Sequence, residues 1–260
     1  MKTTLTLALT LFLGGMVNPA SAQTTTRGPS VSFLPRSEFH MNAEHLGGID
    51  DERFRWDADL GGELDLVDYT RGRLIFAANY QVILGEELKL FDPNQGNYTL
   101  EGVLTARVKK IEAGLVFHHV SRHLSDREKT QPVDWNMLGG RLSQVFLVNG
   151  TLIDVQGDLR WTIQHSYVDY TWELDTHVRV DRLLRPGVGV LAAGGFRHVG
   201  VDGTAGRDGP NGFRAEGGVR FEGSGGAVEL FVGAERRIDP YPLEFGTATW
   251  MTAGFRLLSR

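Results

Sequence analysis

The stretch Ile153-Asp154-Val155-Gln156-Gly157-Asp158-Leu159-Arg160-Trp161-Thr162-Ile163 decides the fold class of this chain. Polar and apolar residues alternate along it: Asp154, Gln156, Asp158, Arg160 and Thr162 interleave with Val155, Leu159 and Trp161. An α-helix would scatter the polar side chains around its circumference, whereas a β-strand puts all of them on one face. The stretch therefore predicts a strand with one polar and one apolar face.

The same period of two recurs along the rest of the chain. It yields twelve candidate strands, at 31–45, 53–67, 72–85, 97–108, 111–122, 134–148, 151–164, 170–182, 187–200, 212–222, 226–238 and 247–259. The connections alternate in length: most of the longer joins are rich in Gly, Asp, Asn and Pro, and the short ones include the strong hairpin signal Asn149-Gly150. This order predicts a meander of antiparallel hairpins.

The length of the strands favours a membrane barrel over a soluble sandwich. Strands of globular proteins usually have about 5–6 residues, whereas a tilted membrane strand needs about 9–11. Aromatic residues near the segment ends are candidates for the girdles of such a barrel: Trp56, Tyr80, Tyr98, Trp135, Trp161, Trp172 and Trp250. Short turns, longer loops and an even strand number complete the pattern. We therefore predict an all-β fold, a transmembrane antiparallel up-and-down β-barrel of about twelve strands in the bacterial outer membrane.

The ends of the chain predict export and a single domain. Lys2, an apolar run and the small residues Ala20-Ser21-Ala22 indicate a cleaved signal peptide at 1–22, a flexible leader at 23–30 and the barrel at 31–260. The chain has no cysteine, so disulfides do not hold it together. Its net charge of −5 and the lack of a basic patch argue against nucleic acid as a partner. The expected partners are outer-membrane lipids and, during biogenesis, the barrel-assembly machinery.

The polar faces of the strands carry charges of both signs. Candidates for neutralising one another inside the barrel are Asp57, Asp59, Glu63 and Asp65 on one side and Arg73, Arg107, Arg160, Arg179, Arg214 and Arg220 on the other. Twelve strands enclose less space than the sixteen to eighteen of a porin, so such side chains could fill much of the lumen. A narrow solute channel is the alternative interpretation.

One strand carries an unusual polar cluster at its end. The apolar face of the strand at 111–122 ends at Phe117, and its alternation continues into His119, Ser121 and His123. The same parity turns His118 and Arg122 toward the lumen. Because this fifth strand runs outward, we expect a polar site at the extracellular rim, with lipid-binding residues at Arg122, His123, Asp126 and Arg127.

The His119-x-Ser121 spacing at the rim of a twelve-stranded barrel resembles the outer membrane phospholipase A family and, more distantly, the lipid A deacylases. The resemblance implies nucleophilic acyl transfer, in which His119 takes the proton of Ser121 and a third residue orients His119. Asn136 is the candidate for that third residue, and Asp134, Glu128 and Asp126 are its rivals. The chain departs from the phospholipases after the serine, where Arg122 and His123 replace Asn-Gly. The pattern His-x-Ser-x-His-Leu-x-Asp also resembles a barrel family that carries it at a strand end and whose activity is not established.

Three functional readings follow from these observations. The first is an integral outer-membrane barrel with a polar rim site around His119 and Ser121 and no more specific role. The second is a phospholipase- or deacylase-like serine hydrolase that acts on outer-leaflet lipid esters, and the third is a narrow solute channel. No motif requires a cofactor, although the loop from Asp202 to Gly209 could hold calcium. A metal site among His118, His119 and His123 is left open, without a clear third ligand.

Overall fold

The chain forms one closed antiparallel barrel in a computed structural model that describes residues 31–125, 127, 128 and 131–259. Its strands are β1 (Ser32–Gly47), β2 (Trp56–Asp68), β3 (Arg73–Gly85), β4 (Asp92–Val108), β5 (Ile111–Leu124), β6 (Val133–Val148), β7 (Thr151–Ser166), β8 (Tyr170–Arg185), β9 (Val188–Val201), β10 (Asn211–Glu222), β11 (Gly226–Ile238) and β12 (Thr247–Ser259). Each strand pairs with its sequence neighbours, and β1 pairs with β12 from His40↔Leu258 to Gly47↔Met251. From His40 onward, closure leaves the sheet no free edge, while residues 32–39 of β1 pair with β2. No helix in the described part of the chain is long and apolar enough to cross a membrane.

The predicted meander is confirmed, with one notable difference in strand length. β4 begins at Asp92, five residues before the predicted start at 97, and its first residues pair with the end of β3 (Gly85↔Asp92). Asp92-Pro93-Asn94-Gln95 lacks alternation because its polar side chains are buried, so periodicity could not reveal it. Asn149 and Gly150 both have positive φ angles, of 50° and 78°, as a type I′ hairpin turn requires. The predicted signal peptide and leader, 1–30, lie outside the described residues.

The outer surface of the barrel is apolar. Large side chains on it include Leu104, Leu115, Leu142, Val232 and Met251, each at least half exposed. A contiguous apolar surface of this extent suits contact with lipid and not with water.

Two of the aromatic residues predicted to lie in the girdles point the other way. Trp135 and Trp250 lie inside the barrel, 4% and 1% exposed, whereas Trp161 is 53% exposed on the outside. Strand parity explains the correction for Trp135, because an outward Asn136 requires its neighbour to face inward.

Ion pairs fill the middle of the lumen, as the alternating charges predicted. The fully buried carboxylate of Glu229 accepts hydrogen bonds from Arg179, Arg220 and Arg256. Further pairs join Arg73 to Asp65, Arg141 to Asp158, Arg214 to Glu44 and Arg237 to Asp57. A cavity of about 650 Å³ remains beside them, lined in part by His40, Asn42, Asp59, His177 and Arg214.

The lumen is closed at the end that carries the longer loops. Two apolar clusters lie there, one of Val120, Val133, Trp135, Met137, Val168, Tyr170, Val199 and Ile238 and one of Leu46, Phe54, Ile83 and Trp250. The β11–β12 loop, residues 239–246, folds over them. We call this segment the mouth loop.

Contacts from several sides hold the mouth loop in place. Arg122 reaches across the barrel from β5 and donates to the carbonyl oxygens of Asp239 and Pro240, at 2.6 and 2.8 Å. Arg207 binds the Asp239 carboxylate, and Arg53 binds Glu244, both at 2.7 Å.

Hydrogen bonds from Arg53 also hold the pKa of Asp51 below its usual range. Asp51 therefore keeps its charge, and its pairing with Arg53, at neutral and mildly acidic pH.

Candidate functional site

The parity of β5 places its polar residues as predicted. Val116 and His118 face the lumen and are buried, while Leu115 and Phe117 are exposed on the outer surface. His119 and Ser121 continue that outer face as half-buried residues, and His123 follows as an exposed one. Because β5 runs from the two-residue turn 109–110 to the longer loop 125–132, these side chains lie at the long-loop end. In outer-membrane barrels that end is extracellular.

Side chains of the next two strands join them. We define the outer polar patch as His119, Ser121 and His123 of β5, Asp134 and Asn136 of β6, and Gln164 of β7. The hairpin register aligns the first members, with His119 opposite Asn136 and Ser121 opposite Asp134. Apolar Leu138 and Phe117 follow on the membrane side, both more than 40% exposed. The patch thus lies where the apolar outer surface ends.

Asn136 is hydrogen bonded to His119, the partner that the sequence suggested. The distance from His119 Nδ1 to Asn136 Oδ1 is 2.7 Å. An amide oxygen accepts only, so the contact requires a proton on Nδ1 and, in the neutral ring, leaves the lone pair on Nε2. Of the three rivals for this place, Asp134 lies elsewhere in the patch, Glu128 is exposed in the β5–β6 loop, and Asp126 is outside the described residues.

A chain of hydrogen bonds continues beyond Asn136. Asn136 Nδ2 donates to Gln164 Oε1, and Gln164 Nε2 donates to Asp134 Oδ1 at 3.0 Å. Gln164 reaches the outer face because of a bulge, since Asn136 pairs with Gln164 but Met137 pairs with Thr162. Ile163 is the extra residue, and it reverses the parity of the strand end. Sequence reasoning missed Gln164 because uninterrupted alternation from Trp161 would turn it inward.

The hydroxyl of Ser121 is hydrogen bonded to His123 in this conformer. The distance from Ser121 Oγ to His123 Nε2 is 2.9 Å. Tyr98 of β4 lies opposite Ser121 and meets the His123 ring edge-on at 5.6 Å. The structure therefore brings His119 to Asn136 and Ser121 to His123. The side chains of His119 and Ser121 share one face two residues apart, about 7 Å between their Cα atoms.

Two of the predicted rim residues have other roles. Arg122 is buried inside the barrel and holds the mouth loop, so its assignment to a lipid-binding rim is wrong; strand parity turns it inward. Arg127 donates to Asp92 at 2.7 Å and to Glu87, which ties the β5–β6 loop to the β3–β4 connection. Burial lowers the pKa of Arg127, but the hydrogen bonds to these two carboxylates outweigh it and raise the pKa above its usual value. Asp126 lies outside the described residues.

A second histidine–asparagine pair lies on the outer surface between β9 and β10. His198 Nδ1 is 2.8 Å from Asn211 Oδ1, and the two residues are directly paired across the strands. The sequence His198-Val199-Gly200 parallels His119-Val120-Ser121, with glycine in place of the serine. The Trp172 side chain, with its ring 5.0 Å from that of His198, fills the space where a side chain at Gly200 would stand. The signal in the sequence was a His-x-small tripeptide at one strand end and an asparagine at the next strand start.

No metal site is assembled from the residues that the structure describes. Among them, no group of three or more His, Asp or Glu side chains could hold a metal ion. His118 faces the lumen, with Nδ1 3.5 Å from Glu101 Oε2, and is separated by the barrel wall from His119 and His123. In the loop proposed for calcium, Asp202 Oδ1 accepts hydrogen bonds from the backbone and hydroxyl of Thr204.

No protein-family model and no curated protein sequence matches this chain. Solved structures do. Outer membrane phospholipase A from Escherichia coli has a TM-score of 0.51 at 12% identity, over 92% of this chain and 95% of that one. The calcium-bound outer membrane phospholipase dimer from Salmonella typhi has a TM-score of 0.51 at 13% identity, over 87% and 91%. An outer membrane channel from Pseudomonas putida has a TM-score of 0.49 at 12% identity, over 94% and 99%.

At such identities the likeness shows the fold and leaves the chemistry to the site. The fold is that of the outer-membrane β-barrels, and the apolar outer surface of this chain is the one that such a barrel turns to lipid. The protein is an integral β-barrel of the bacterial outer membrane.

Proposed function

We propose that this protein is a serine hydrolase that cleaves acyl esters of outer-leaflet lipids. The observation that carries the proposal is the 2.7 Å hydrogen bond between His119 Nδ1 and Asn136 Oδ1, with Ser121 two residues further on the same outward face. A histidine oriented through Nδ1 and a hydroxyl next to it are the parts that nucleophilic acyl transfer needs. They lie just beyond the apolar outer surface, the level at which we expect the ester groups of outer-leaflet lipids.

The reaction would proceed in two halves. Ser121 Oγ attacks the ester carbonyl carbon while His119 Nε2 takes the hydroxyl proton, and this proton then passes to the departing alcohol of the lipid. Water attacks the resulting acyl-serine, again giving a proton to His119, and the fatty acid leaves as Ser121 regains its proton. For the first step the Ser121 hydroxyl turns about its Cα–Cβ bond from His123 toward His119.

The test is hydrolysis of diacyl phospholipid by the full chain refolded in detergent micelles. We expect fatty acid release by the wild type and a fall of at least about a hundredfold in Ser121→Ala and His119→Ala, the range for loss of a nucleophile or general base. Asn136→Ala should lose about tenfold or more, because His119 loses the contact that orients it.

The second histidine–asparagine pair supplies matched controls. His198→Ala and Asn211→Ala remove the same groups at the same end of the barrel, where no serine follows, and should keep wild-type rates. Heat-modifiable gel migration checks that every variant is folded. Activity that survives both Ser121→Ala and His119→Ala, or a wild type inactive both with calcium and with chelator, would refute the hydrolase.

A further inference from the structure

We infer that Asp134 and Gln164 are positioning residues that fix the proton of His119 on Nδ1. The inference rests on the proposed function for its catalytic meaning, since a proton on Nδ1 leaves Nε2 free to act as the base. Asp134 lies opposite Ser121 in the β5–β6 register, and the side chains of Asp134 and Gln164 are joined to His119 through Asn136.

The argument begins with the direction of the hydrogen bonds. The side chains of asparagine and glutamine each carry a donor and an acceptor, so a chain of amides alone could run either way with every bond made. In the reverse direction Asn136 would present its Nδ2 to His119, and the ring would then accept on Nδ1 and carry its proton on Nε2. In that arrangement every hydrogen bond is still made, but His119 Nε2 carries a proton and can no longer act as the base for Ser121.

The carboxylate at the far end removes this ambiguity. An ionised carboxylate accepts only, so Gln164 must turn Nε2 toward Asp134, at 3.0 Å, and Oε1 toward Asn136. Asn136 then donates through Nδ2 and offers Oδ1 to His119, at 2.7 Å. One charged group thus sets the direction of three successive hydrogen bonds.

The location strengthens this control. The patch adjoins the apolar outer surface, where the low dielectric makes hydrogen bonds stronger and an unpaired polar group more costly. The bulge at Ile163 is what brings Gln164 between Asn136 and Asp134. The β6–β7 hairpin therefore supplies both the bulge that turns Gln164 outward and the carboxylate of Asp134 that orients it.

The experiment reads the tautomer directly. The full chain is labelled with ¹⁵N-histidine, folded in detergent micelles and examined by NMR, with the His119 signals assigned from their absence in His119→Gln. In the wild type we expect the proton on Nδ1. Asp134→Asn keeps the size and the hydrogen bond of the carboxylate but adds a donor, so we expect a mixture of the two tautomers in this variant.

Kinetics complete the test. Asp134→Asn should lower kcat in proportion to the fraction of molecules that keep the proton on Nδ1, about twofold for an equal mixture, with KM unchanged. Gln164→Leu, which breaks the chain without altering Asp134, should also yield mixed tautomers. His198 lies outside the chain and serves as the internal reference, with a tautomer that stays the same in all variants.

The outcomes separate this inference from the hydrolase. A wild-type His119 that carries its proton on Nε2, or an unchanged tautomer in both Asp134→Asn and Gln164→Leu, overturns the positioning role. If the wild type holds the Nδ1 proton and both variants lose it while no ester is cleaved, the positioning stands and the hydrolase is wrong.

Discussion

His123 contacts Ser121 in the structure, although the proposed reaction uses His119 as the base. Its Nε2 lies 2.9 Å from Ser121 Oγ, whereas Asn136 orients His119 and not His123. Two histidines therefore flank one serine on the same strand face. The Nδ1 of His119 is hydrogen bonded to an amide that a carboxylate orients.

We expect His123→Ala to keep at least about a tenth of wild-type activity, because it removes a resting partner of Ser121 and not the base. The rates of His123→Ala and His119→Ala are compared in the same phospholipid assay. Should His123→Ala be inactive and His119→Ala active, the base would be His123, and Ser121 would react from the conformer seen here.

Residue by residue, the sequence predicted the outer site as far as alternation holds. The alternation along β5 correctly predicted that His119, Ser121 and His123 face outward. The hairpin between β5 and β6 correctly predicted that Asn136 lies beside His119. The sequence could not predict Gln164, because a bulge of one residue reverses parity and leaves no mark in an alternating pattern. Nor could it predict which histidine Ser121 contacts, since the choice is a side-chain rotation.

At the scale of the strands, the β6–β7 hairpin has the most demanding packing near the site. Gly139 lies opposite Arg160, and a Cβ added to it would overlap the carbonyl oxygen of Leu159. The next residue, Gly140, faces outward, and a Cβ there would meet only the Gly114 carbonyl oxygen, at 3.8 Å. Two adjacent glycines thus differ in whether the backbone of a neighbouring strand leaves them room.

We predict that Gly139→Ala lowers the free energy of unfolding by about 1–3 kcal/mol, the usual cost of overpacking, while Gly140→Ala changes it by less than about 0.5 kcal/mol. Urea unfolding in detergent, followed by tryptophan fluorescence and gel migration, measures both. Equal stability of the two variants would contradict this prediction. It would mean that the β7 backbone at Leu159 shifts to make room for the added methyl group without lowering the free energy of unfolding.

The strand pattern itself was the most predictable part of the molecule. Eleven of the twelve predicted strands lie within about three residues of the observed bounds at each end, because lipid outside and charges inside enforce strict alternation. β4 was the exception. Its first residues, 92–95, lie at the closed mouth, where polar side chains are buried. For the same reason Trp135 and Trp250 could not be assigned to a girdle by their position in the strand alone.

On the scale of the whole molecule, ion pairs and apolar clusters occupy the interior of the barrel beside a cavity of about 650 Å³, and its extracellular end is closed. Salt bridges occupy its middle, apolar clusters lie above them, and the mouth loop is held by Arg122, Arg207 and Arg53. Arg122 and Asp239 belong to opposite walls, so their contact spans the lumen. This arrangement opposes steady conduction.

We therefore expect the wild-type protein to give no steady openings in planar lipid bilayers. Replacement of residues 240–245 by a glycine–serine linker changes only the cover of the mouth and should leave the protein silent too, because the ion pairs still occupy the middle of the lumen. Replacement of Lys109-Lys110 by Gly-Ser, in a short turn at the opposite end of the barrel, is the control and should also remain silent. Steady wild-type conductance would instead support the channel.

The outward direction of Ser121 has a consequence for how such an enzyme would meet its substrate. A site that opens sideways into the leaflet, with the lumen closed behind it, is reached by diffusion in two dimensions. The quantity that governs its rate is the number of ester lipids per unit area, so diluting the surface with inert detergent would slow it even while the amount of lipid in the tube stays the same.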